Sequence, residues 1–133
     1  MYYKLYKSEK VSGPNITTLS IDIQREAFEL MQKLVSIETE NGIIYSILSD
    51  FELLQVNKLF KKTNMVYTMF DISQEVLSGR LPAEVKNNTF LATDVILEFF
   101  KREMTVDMIL DKISSDGIEA LNKFDQEILT IKC

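Results

Sequence analysis

The chain has 133 residues, 46% of them hydrophobic and 26% charged, which is the size and composition of one globular domain. It carries 20 acidic and 15 basic side chains, a formal charge of −5, no histidine, no tryptophan and a single cysteine at position 133. Those counts exclude histidine-based hydrolases, histidine or thiolate metal sites and an intrachain disulfide. They also count against non-specific nucleic-acid binding, which depends on Lys and Arg neutralising phosphates.

Residues 2–8 (YYKLYKS) alternate and are rich in tyrosine, which predicts a strand, with Lys4 and Lys7 discouraging edge-to-edge pairing. Ser12-Gly13-Pro14-Asn15 predicts a loop. Ile23, Ala27, Leu30, Met31, Leu34 and Val35 then recur at helical spacing. This predicts one helix from a Ser20 cap to about residues 38–40, stopped by Asn41-Gly42. Residues 43–48 (IIYSIL) form a short apolar, β-branched and aromatic run, which predicts a buried strand.

Ser49 and Glu52 stand at capping-box spacing. They predict a helix over 50–62, with Phe51, Leu54, Leu59 and Phe60 inward and Lys58, Lys61 and Lys62 near its C-terminal end. After a break at Thr63-Asn64, residues 65–70 (MVYTMF) predict another strand. Strand, helix and strand within about thirty residues predict a right-handed parallel crossover. Ser73 caps a short helix through Leu77, stopped at Ser78-Gly79, and residues 80–92 predict a surface loop around Pro82 and Asn87-Asn88. The remaining residues predict three helices: one from Thr93 or Asp94, one capped by Thr105 and ended by Gly117, and one capped by Asn122.

Together these elements predict an α+β fold with a small, partly parallel three-stranded sheet covered by helices. Residues 1–92 make an α/β core. Residues 93–133 make a helical C-terminal segment of the same domain, packed on the core or projecting as a docking arm. No secretory signal and no run of about 20 apolar residues appears, so the expectation is a cytoplasmic protein without a membrane partner. The Asn15-Ile16-Thr17 and Asn87-Asn88-Thr89 sites then match a glycosylation pattern by chance.

With no phosphate-cradling glycine loop and no EF-hand spacing, chemistry would have to come from Asp, Glu, Lys, Tyr, Ser, Thr or Arg. Glu103, Asp107 and Asp111, at i, i+4 and i+8, could hold Mg²⁺ or divide acid and base roles, or form a solvated helix face. Lys58, Lys61, Lys62 and Arg80 could bind an anion, or complement a helix dipole. Asp71 and Ser73, at a strand-to-helix junction, fit either a ligand edge of a parallel sheet or ordinary capping. Phe99 and Phe100, with Leu97 and Met104, could form a docking surface or a buried stripe. Tyr2, Tyr3 and Tyr6 could stack bases, against the acidic balance.

Residues 94–127 hold nine acidic and four basic side chains, so the whole net charge lies there. Within that region, residues 107–129 (DMILDKISSDGIEALNKFDQEIL) resemble a short bacterial helical-hairpin tail also found on some rhomboid-type proteases. Asp107, Ile109-Leu110, Asp111-Lys112-Ile113, Gly117, Leu121, Asp125 and Leu129 carry the resemblance, and Ala120-Leu121-Asn122 departs from the usual Ser-Leu-Thr. The resemblance implies a bacterial protein and brings no catalytic activity with it, because no protease region accompanies the tail.

The functional expectation is a non-enzymatic protein-interaction module (adaptor, accessory or inhibitor-like) without cofactor or metal. Phe99, Phe100, Glu103, Asp107 and Asp111 would contact the partner, which is another protein, or the chain itself as a homodimer, and not nucleic acid. One alternative is a small-ligand or metal site at Asp71 or Asp107/Asp111. The other is a self-associating structural protein with Phe99–Met104 as its seam.

Overall fold

The computed structural model describes residues 3–12, 19–40, 42–62, 66–81 and 90–132. Strands β1 (Lys4–Ser12), β2 (Lys33–Thr39), β3 (Gly42–Ser49) and β4 (Val66–Asp71) form one sheet in the order β2-β3-β1-β4. Every neighbouring pair in it is antiparallel. The expected three-stranded, partly parallel sheet is therefore corrected on both counts.

The fourth strand comes from the segment expected to be the second half of a long helix. Helix α1 (Ile21–Leu30) ends at Met31, whose φ of −131° and ψ of 121° are already extended. Leu34 and Val35 match a helical period only by coincidence, because in β2 they point to opposite faces. The β-branched Val35, Ile37 and Thr39 suit a strand. β2 and β3 form an antiparallel hairpin with Thr39 set opposite Gly42, and Asn41 lies outside the described residues.

The parallel expectation fails because β1 lies between β3 and β4. Both run antiparallel to β1, so they point the same way, as a strand–helix–strand crossover requires, but they are not bonded to each other. This is a split crossover around helix α2 (Leu53–Lys61). Helix α2 starts later than expected. Glu52 occupies the cap, and its N–H donates to Gln55 Oε1 at 3.1 Å. The Ser49 hydroxyl instead donates to the Leu30 carbonyl and accepts from the Phe51 N–H at 3.0 Å, tying α1 to the end of β3. Leu54, expected inside, is 62% exposed.

Side-chain alternation divides the core between the two faces of the sheet. On one face Tyr6, Ile43, Tyr45 and Ile47 pack under α1 and α2, against Ala27, Met31, Val56, Leu59 and Phe60. On the other, Leu5 and Leu48 pack against the remaining helices: α3 (Ser73–Leu77), α4 (Phe90–Glu103), α5 (Val106–Asp116) and α6 (Lys123–Lys132). The result is three layers with an antiparallel sheet in the middle. Local chemistry sets the last helices as expected. The Met108 N–H donates to Thr105 Oγ1 at 3.1 Å, and Gly117 takes a φ of +84° that other residues avoid. The Phe124 and Asp125 N–H groups both donate to Asn122 Oδ1 at 2.9 Å. Helix α4 begins at Phe90, earlier than its sequence pattern indicated.

The Gly13-Pro14-Asn15 loop, the Thr63-Asn64 break, the loop over 82–89, both Asn-X-Thr sites, Tyr2 and Cys133 fall outside the described residues. Among the described residues no helix is long and apolar enough to cross a membrane.

Candidate functional site

Phe99 and Phe100 are fully buried, as is Met104. Phe100 stacks on Phe124 with ring centroids 5.3 Å apart and meets Phe99 edge-on at 6.3 Å. The expected docking stripe, and the dimer seam built on it, is core. Helix α4 carries a wide apolar face and uses it to cover the sheet. Tyr6 is buried too, and the Arg102 guanidinium lies 4.4 Å from the Tyr3 ring centroid, so these tyrosines are engaged internally and do not form a base-stacking surface.

The three carboxylates Glu103, Asp107 and Asp111 do not form one row. Thr105 breaks the helix between the first and the second. Glu103 turns back to accept the Tyr3 N–H, while Asp107 and Asp111 stand exposed on α5. Among the described residues, no group of three or more carboxylate or thiol ligands is placed to hold a metal ion. Lys58 and Lys61 sit on α2 with Lys62 at its C-terminal cap, and Arg80 follows α3 on the opposite face of the sheet, so the four cations do not gather. Lys62 is already paired with Glu26 at 3.2 Å.

An acidic face results from what happens to Lys112. It is the one base in residues 107–119. Its ammonium reaches inward to both oxygens of the buried Asp125, each at 3.0 Å, and lies 5.9 Å from the Phe100 ring centroid. Asp107, Asp111, Asp116 and Glu119 remain exposed, and among the described residues none of them is ion-paired. Leu110 and Ile118 are exposed among them. Sequence reasoning missed the Lys112–Asp125 pair. The only signal for it was Asp125 standing three residues after the Asn122 cap.

A second polar feature lies at Asp71. Lys4, Asp71, Ser73, Gln74 and Glu75 line an open depression of about 460 Å³ at the end of β4. The Ser73 hydroxyl donates to Asp71 Oδ1 at 2.6 Å and accepts the Leu5 N–H at 2.8 Å. Asp71 also accepts the Ser73 N–H at 3.0 Å. These bonds lock the strand-to-helix junction and commit the Ser73 proton, so they serve the fold. Lys4 pairs with Glu52 at 2.7 Å, beside the Tyr6 phenol that donates to the Phe51 carbonyl at 2.7 Å.

No family model, curated protein or solved structure matches this chain.

Burial, and then the carboxylates of Asp71 and Glu52, raise the Tyr6 pKa well above its ordinary value of 10.0. The folded chain therefore holds the phenolic proton more tightly than the unfolded chain. Its contribution to stability is complete below pH about 10 and is lost as pH rises above it. Burial raises Tyr67 as well. Urea unfolding as a function of pH should show stability falling above pH about 10, with a smaller fall in Tyr6→Phe. At neutral pH that variant should lose about 1–2 kcal/mol, because the Phe51 carbonyl loses its donor. An unchanged alkaline slope in Tyr6→Phe would refute the assignment.

Proposed function

We propose that this chain is a non-catalytic protein-interaction module whose acidic helical end meets a basic surface of another protein. The observation that carries this reading is the inward turn of Lys112 onto Asp125, which leaves the outer face of α5 with Asp107 and Asp111 beside the exposed Leu110. A negative patch with an apolar centre steers a positive partner and offers it area to bury. The bacterial tail that residues 107–129 resemble supports a bacterial setting, and a lone cysteine fits a reducing cytoplasm.

Charge reversal tests the reading. A partner captured by the wild-type chain should associate at least about tenfold more slowly with Asp107→Lys/Asp111→Lys. The wild-type rate should also fall steeply with added salt, as the screening length contracts to about 3 Å at 1 M. Association indifferent to both changes would rule out the acidic face as the contact surface.

A further inference from the structure

β4 is an outer strand, and among the described residues it pairs with β1 alone. The Ile72 N–H donates to the Leu5 carbonyl at 2.9 Å, and the register continues with Lys7 opposite Phe70 and Glu9 opposite Thr68. Backbone groups alternate in an antiparallel ladder. Residues 68, 70 and 72 therefore turn theirs toward β1, and Tyr67, Met69 and Asp71 turn theirs to the open edge.

The two outer strands are guarded differently. β2 carries the exposed charges Lys33 and Glu38. β4 (VYTMFD) has no proline or glycine and no charge before Asp71, and it leaves Phe70 46% exposed. Such an edge is a template for another strand. On the α2 side of the sheet, an open groove of about 410 Å³ runs beside it, lined by Leu53, Asn57, Lys61, Tyr67, Thr68 and Met69. Lys61 stands where β4 begins and Asp71 where it ends, both exposed and both on that side.

We infer that β4 pairs with β4 of a second copy of this chain, antiparallel and centred on Met69. This register sets Met69 opposite Met69 and Tyr67 opposite Asp71. It is the one two-fold register in which all three outward-facing residues of each copy meet outward-facing residues of the other. It keeps like faces together, so the two α2 helices flank a shared groove. The same symmetry brings Lys61 of each copy to the end of the strand carrying Asp71 of the other, twice over. On the opposite face, Phe70 of each copy lies beside Thr68 of the other and loses its exposure. The dimer is a continuous sheet of twice four strands, and its interface is separate from the acidic face of α5.

Light scattering across a concentration series should show the mass rising from 15.4 kDa toward twice that value. Lys61→Asp, at an exposed helix position, should raise the dimer dissociation constant at least about tenfold with an unchanged circular dichroism spectrum. Cysteine substitution then tests the register, in a Cys133→Ser background. Met69→Cys sets identical thiols across the axis with Cα atoms about 5.5 Å apart, a spacing that suits a disulfide. It should cross-link rapidly under mild oxidation, whereas Thr68→Cys, facing Phe70, should not. A mass fixed at 15.4 kDa at every concentration would overturn the inference. So would a dissociation constant unmoved by Lys61→Asp, or Thr68→Cys linking as fast as Met69→Cys.

Discussion

Replacing Phe100 by alanine should lower the unfolding free energy by about 3–5 kcal/mol, the usual cost of removing a fully buried aromatic ring from a core that cannot collapse around the void. Phe100 meets Phe99 within α4, Phe124 from α6 and the Lys112 ammonium from α5, so the vacancy would be shared by three helices with no single neighbour free to fill it. Urea denaturation with an unchanged m-value is the measurement. Phe28→Ala is the control: that ring is 82% exposed, and its loss should cost less than about 0.5 kcal/mol. The contrast separates a core phenylalanine from a docking one. A Phe100→Ala effect as small as that of Phe28→Ala would restore the surface reading of α4.

Asp125→Ala should cost about 3–5 kcal/mol, the range found when one partner of a buried ion pair is removed. The carboxylate is fully buried and its partner Lys112 is only 18% exposed, so the lysine would be left in a largely enclosed site without its counter-ion. The Asn122 N–H, which donates to Asp125 Oδ2 at 3.2 Å, would lose its acceptor at the start of α6 as well. Lys112→Met alone should also destabilise. The double variant Lys112→Met/Asp125→Ala should lose much less than the two single losses combined, because it leaves no unpaired charge behind. Additive losses in this cycle would show that the pair is not coupled. A strong coupling would also support the origin of the acidic face, since Lys112 would be confirmed as turned inward.

Much of the local structure was legible in the sequence. The Thr105 cap, the Gly117 stop and the Asn122 cap each depend on residues within three or four positions. Strand β3 showed itself through a short apolar run rich in β-branched and aromatic residues. The long helix expected after Ser20 failed because apolar spacing over a short window fits two periods. The α1–β2 junction is decided by the hairpin with β3 and by the Ser49–Leu30 hydrogen bond, nineteen positions apart. The candidate site was half legible. Asp107 and Asp111 were recognised as exposed acids, but the same reasoning placed Phe99 and Phe100 beside them on a surface. A wide apolar stripe looks identical in sequence whether a sheet or a partner covers it.

What the sequence alone determined is therefore short-range: where helices begin and end, which run is a buried strand, and the absence of histidine-based or thiolate-cluster chemistry. The tertiary structure decided the insertion of β1 between β3 and β4, the first strand of the β2–β3 hairpin, the burial of the α4 phenylalanines and the inward turn of Lys112. Each depends on groups far apart along the chain. Leu5 meets Ser73 across 68 positions, and Tyr3 meets Glu103 across 100. A residue's neighbours fix its backbone preference, but which face is covered, and which charge is spent on another, is fixed only when remote segments compete for the same surface of the sheet.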